Sequence, residues 1–172
     1  QQVCALRHIL HPAVVLAIVV LVGCTPRGNL AFVTDMDTLG DVERIYYATT
    51  RAADDDPLVR FGTDRSETPT FGRIEISVPD DREPGDVTYP GAPPDPSTDF
   101  VATSSAMFDG PAAFRAALRS ELKSLPRGER DVILFVHGFN NTFAEGMFRL
   151  AQLDHDLSLP GVPVHYAWPS LN

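Results

Sequence analysis

Five neighbouring residues have the types and the spacing to do chemistry together: His137, Gly138, Phe139, Asn140 and Asn141. They follow directly on Val132-Ile133-Leu134-Phe135-Val136, an apolar run with polar residues on both sides. Its β-branched and aromatic content reads as a central parallel strand covered on both faces, ended by Gly138. In open α/β sheets the loops at the carboxyl ends of strands carry the chemistry. Thr142-x-x-Glu145 is a capping box, so a helix starts near Phe143. The loop between strand and helix offers free backbone N–H groups at a helix N-terminus, where negative charge is favoured. That chemistry suits a developing oxyanion. Gly138 lets a ligand approach the backbone with no Cβ in the way. Gly-x-Gly-x-x-Gly and Walker spacings are absent, so this is not a phosphate loop.

Other reactive side chains are less well placed. Asp54-Asp55-Asp56 precedes Pro57, whereas calcium loops alternate their ligands and place a Gly for the turn; the run reads as a solvated loop. Asp154, His155 and Asp156 sit at adjacent helical positions and point in different directions, so they read as a solvated face rather than a metal or triad cluster. His165 lies on a strand and reads as a satisfied interior or edge residue. Arg51, at the end of a strand, reads as solvated. Ser104, Ser105 and Ser170 stand in no Gly-x-Ser-x-Gly turn and are not assigned as nucleophiles.

The elements that must position the loop follow from periodicity. A helix is expected over 143–157, with Ala144, Met147, Phe148 and Ala151 on its buried face and Pro160-Gly161 beyond its end. A second buried strand over 162–168 then completes a βαβ unit. Upstream, 111–125 reads as a helix: Asp109 is placed to cap it, and Pro111 suits its first turn. Phe114, Leu118, Leu122 and Leu125 form its single apolar stripe. Strands are expected over 44–50 and over 72–78, where Ile74, Ile76 and Val78 alternate with polar residues. Residues 79–99, rich in Pro and Asp, read as a surface loop without regular structure. The region before Thr103 forms either extra strands on the sheet or a small lid.

Phe135-Val136-His137-Gly138-Phe139-Asn140-Asn141-Thr142-Phe143, Ala151-Gln152 and Tyr166-Ala167-Trp168-Pro169-Ser170 together resemble the DUF900 group of bacterial α/β-hydrolases. Ala48-Thr49-Thr50-Arg51 and the strand ending at Pro79, with Pro84-Gly85 after it, are similar to that group's N-terminal part. The resemblance covers roughly residues 44 to 172. It implies an α/β fold, an α/β-hydrolase-type sheet with flanking helices, incomplete at the C-terminus. It also implies an oxyanion N–H at Phe139 beside Gly138, with His137 bracing the loop through its ring and Asn140 orienting it or meeting substrate. Trp168 and Ser170 would lie near the substrate pocket. The implied activity is that of a serine esterase or lipase acting on a small ester, with no cofactor and no metal. The nucleophile elbow and the later Asp and His are absent from this sequence.

At the N-terminus, Arg7, His8 and His11 precede a ten-residue apolar run, 13–22. A membrane-spanning helix needs about 20 residues, so the pattern describes a secretory signal. Leu21-Val22-Gly23-Cys24 resembles the lipobox of bacterial lipoproteins, which implies cleavage before Cys24 and a lipid on its sulfur; a plain secretory signal is the alternative. The domain reading is a signal over 1–23, a tether over 24–40 and the N-terminal part of a hydrolase domain over 41–172. The protein would then sit on a bacterial envelope membrane, lipid-anchored, on the periplasmic side. A formal net charge of −9, without a basic cluster, argues against nucleic acid as a partner. The competing functional reading keeps fold and anchor without catalysis, as an envelope binding or structural protein.

Overall fold

The computed structural model describes residues 27–35 and 39–170. The signal segment and Cys24 lie outside the described residues. Five strands form one mixed sheet: β1 (Asp41–Ala53), β2 (Phe61–Val78), β3 (Val101–Phe108), β4 (Val132–Val136) and β5 (Val162–Ala167). Two helices flank it, α1 (Gly110–Ser124) and α2 (Phe143–Leu157). The spatial order is β3-β2-β1-β5-β4. β1, β5 and β4 run parallel, and β2 and β3 join as antiparallel neighbours. The region before Thr103 is therefore strand, added to the sheet. This is the α/β-hydrolase type of sheet that the sequence implies.

Alternation along each strand divides the core into two layers. Ile45, Tyr47, Ile74, Ile76 and Phe135 face α2, and meet Phe143, Met147, Phe148 and Ala151 there. Tyr46, Phe71, Phe108, Val162 and Val164 face the Phe114 stripe of α1. The two helices begin differently. At α2 the Thr142 side chain accepts from the Glu145 N–H, while the Glu145 carboxylate accepts from the Thr142 N–H. At α1 Pro lies in the first turn, but Asp109 makes no side-chain cap. At Gly146 α2 packs directly on β5: a methyl there would drive into Nε2 of His165. Gly146→Ala is therefore expected to cost about 1–3 kcal/mol, the usual range for overpacking. A urea melt checks it, and an unchanged midpoint would mean that the helix rides higher on the strand.

Four expectations need correction. The 132–136 strand is not central and covered on both faces. Among the described residues it lies at the edge of the sheet, and Val132, Leu134 and Val136 are 42, 62 and 51% exposed. β5 inserts between β1 and β4, and α1 lies over β2, β3 and β5, so one face of β4 is bare. The tether reading fails over its described part. Leu30 is fully buried, Phe32 bridges to Ala102, and Leu30 N–H donates to the Leu58 carbonyl. Arg51 is not solvated, as described below. Nor is the 154–156 cluster a solvated face. Asp156 forms an ion pair with Arg82 in which both side chains are 8% exposed, and Gly85 N–H and Gln152 Nε2 also donate to it. These contacts bind the 79–99 loop to α2; the loop has no regular structure.

The other two members of that cluster face the amino ends of the parallel strands. His155 lies 3.1 Å from the Glu43 carboxylate. Asp154, half-buried beside Glu43, has its carboxyl pushed up to about 7, first by burial and then by the Glu43 charge. A carboxyl raised above its unfolded value stabilises the fold while protonated. That contribution is complete below about pH 4 and is lost as the pH rises through about 7. Asp154→Asn is thus expected to raise stability by about 1 kcal/mol at pH 8 and by nothing at pH 4. Equal shifts at the two pH values in thermal melts would refute the cause.

Candidate functional site

The carboxyl ends of the three parallel strands converge on the β4–α2 loop. β4 delivers His137, which is 4% exposed. β5 runs out through Trp168 to Ser170, and β1 carries Arg51 near its end. Parallel pairing of β1 with β5 and of β5 with β4 brings the three ends level. Thr49 Oγ1 ties β1 to β5 by donating to the Ala167 carbonyl at 2.8 Å.

His137 is locked from several sides. Its ring stacks on the Trp168 indole, centroids 5.4 Å apart and planes 3° from parallel. Trp168 Nε1–H donates to the His137 carbonyl at 3.0 Å. Nδ1 lies 2.7 Å from the Gly138 carbonyl, and Nε2 lies 3.1 Å from the Trp168 carbonyl and 3.5 Å from Arg51. Burial, and the Arg51 cation nearby, hold the imidazole below the usual histidine range. A neutral ring donates only once, so only one of these two carbonyls receives an N–H from it. Next to it His165 is fully buried and pushed down to about 3, first by burial and then by His137. Its Nδ1 reaches the Phe135 carbonyl at 3.3 Å, but its Nε2 has no partner among the described residues, so it is only half-satisfied.

Arg51 is the residue that sequence reasoning missed. It is 1% exposed and crosses beneath the loop. It donates to the Gly62 carbonyl at 2.9 Å, the Asn141 carbonyl at 2.6 Å and Ser170 Oγ at 3.0 Å. One guanidinium thus joins β2, the β4–α2 loop and the end of β5, which its planar fork suits. Ser170 is 1% exposed, and its hydroxyl also donates to the Asn141 carbonyl. Ser170 lines a small cleft with Arg51, but its oxygen is engaged within the protein.

The tip of the loop is open. Phe139 is 74% exposed, and Asn140 sits in the left-handed region at φ 64°. Arg27 holds Asn140 by donating to its side-chain and backbone oxygens at 3.2 and 2.9 Å. Among the described residues nothing accepts a hydrogen bond from the backbone N–H of Phe139 or Asn140. The loop is therefore fixed at both ends, while two consecutive donors stay available at its tip. Larger clefts lie elsewhere; one of about 600 Å³ is lined by Glu43, Glu75, Glu121 and Asp154 at the opposite end of the sheet.

Residues 111–172 match the DUF900 family model, described as an alpha/beta hydrolase of unknown function. The matched segment takes in all but the first residue of α1, then β4, the loop, α2 and β5. Residues 44–110 rest on their sequence resemblance alone. Comparisons with curated proteins and with solved structures find no match. Among the described residues no group of three or more His, Cys, Asp or Glu is placed to hold a metal, and no helix is long and apolar enough to cross a membrane.

Proposed function

We propose that this chain carries the oxyanion-hole half of a serine ester hydrolase held at a bacterial envelope membrane by a lipid on Cys24. The single observation that carries the reading is the pair of N–H groups at Phe139 and Asn140, unengaged among the described residues, on a loop held by His137, Arg51 and Arg27. Preorganised donors of this kind stabilise the oxyanion formed when a nucleophile attacks an ester carbonyl, and they cost no reorganisation at that moment. His137 is a positioning residue: a depressed, enclosed imidazole turned toward Arg51 is a poor general base.

The nucleophile, its base and the acidic orienter would come from a further part of the sheet. The strand order supports this. β5 is flanked by β1 and β4, so the outer edge of β4 is where another parallel strand can add. A turn at that strand's carboxyl end would arrive beside Phe139. The bare row of Val132, Leu134 and Val136 offers the apolar surface that such an addition would cover.

Turnover of short p-nitrophenyl esters, with fluorophosphonate labelling, by the full-length protein tests the chemistry; no turnover and no labelling would sink it. Leu134→Lys tests the architecture. In a full-length protein with a covered β4 it is expected to cost about 2 kcal/mol through burial of the ammonium. No loss would mean that the face stays open. Incorporation of a labelled fatty acid at Cys24 tests the anchor, and its absence would leave a plain secretory signal.

A further inference from the structure

Arg51 is a buried cation with no carboxylate at ion-pair distance among the described residues. Among the same residues its Nε has no hydrogen-bond partner. Buried charges are ordinarily paired, because taking an ion out of water is costly. Arg27 stands beside it at the rim, 38% exposed, and pairs with Glu145 at 3.3 Å. Two arginines and one glutamate leave one net positive charge. Arg51, Arg27, Val59, Thr63, Thr142 and Ser170 line a cleft of about 60 Å³. The same cleft abuts the first turn of α2, whose dipole also favours negative charge.

We propose that this cleft binds a carboxylate, seated between Arg51 and Arg27 next to the oxyanion loop. The volume holds about two water-sized groups, which suits a planar carboxylate better than a tetrahedral phosphate. A guanidinium is the side chain best matched to that plane. The carboxylate is either a free small acid or the acid end of a ligand whose ester reaches the loop. The site is read by binding, so a failed ester-turnover assay leaves it standing.

Trp168, the one tryptophan of the chain, reports on the cleft through His137 and Arg51. Sodium acetate at constant ionic strength is expected to change its fluorescence saturably, while acetamide leaves it unchanged. Arg27→Gln should weaken acetate by ~5-fold and Glu145→Gln should tighten it by a similar factor, since each moves the local charge by one unit in opposite senses. These opposed signs separate binding from a general loss of structure, which Arg51→Gln alone would not. Monomethyl succinate binding ~10-fold tighter than acetate identifies the acid end of an ester ligand, and equal affinity identifies a free acid. No saturable response up to about 100 mM acetate (far above the range of a built carboxylate site) overturns the proposal. So does an equal response to acetamide, or the same affinity in both variants.

Discussion

Arg82→Met is expected to cost the folded chain about 3–5 kcal/mol, the range for removing one partner of a buried ion pair. Arg82 and Asp156 are both almost fully enclosed. The methionine keeps the packing over the Phe100 ring, where the guanidinium carbon now lies 5.5 Å from the centroid. What it loses is the charge opposite Asp156, and the carboxylate keeps only Gly85 N–H and Gln152. The acid limb of the stability curve gives an independent reading. Arg82 foremost, with Gln152 and Gly85, holds the Asp156 carboxyl well below the usual carboxylate range. A depressed carboxyl contributes stability above its unfolded value, near pH 4, and loses it as the pH falls through the folded one. The variant should therefore be flatter in acid as well as weaker at neutral pH. Urea melts at pH 7 and pH 3 check both. A loss below about 1 kcal/mol at pH 7 would show that the pair is dispensable.

Arg51→Met is expected to cost about 3 kcal/mol, by a different balance. The substitution removes a desolvated cation, which by itself is a gain. It also strands the Gly62 carbonyl, at roughly 1–3 kcal/mol for an acceptor left unpaired, and it takes a charged donor from the Asn141 carbonyl and Ser170 Oγ, which then keep only each other. One stranded carbonyl and two lost charge-assisted hydrogen bonds outweigh one relieved charge. The loss should centre on the loop, because Asn141 adjoins its tip and the Arg51 contact to His137 disappears. Trp168, stacked on that ring, should then show broadened fluorescence even below the melting transition. Arg51→Lys retains the charge but cannot span three acceptors with one ammonium, and should fall in between. Full stability in Arg51→Met would show that the three loop segments are held by packing alone.

Local pattern alone carried the βαβ unit. Capping box, apolar period and terminal Gly are contained within the segments they define, so α2 needed no distant partner to be recognised. The stripe of α1 and the alternation of β2 were legible for the same reason. The DUF900 resemblance in 111–172 lies on this stretch. Where a strand sits in a sheet is a different matter. Val132 to Val136 have the composition of a central strand, and the crossover that placed β5 between β1 and β4 leaves β4 at the edge of the described sheet. Strand order depends on connections and not on the composition of any one strand.

The same limit hid the buried charges. Arg51 meets partners 11, 90 and 119 positions away, and Arg82 meets Asp156 across 74. Nothing next to either arginine in the sequence distinguishes it from a solvated residue. The loop with its backbone donors and the helix after it could be read from the residues, because both are local consequences of Gly138 and the Thr142–Glu145 cap. The arginine of the first strand beneath that loop emerges only once the chain is folded. A buried cation is set by which chain ends the sheet brings together.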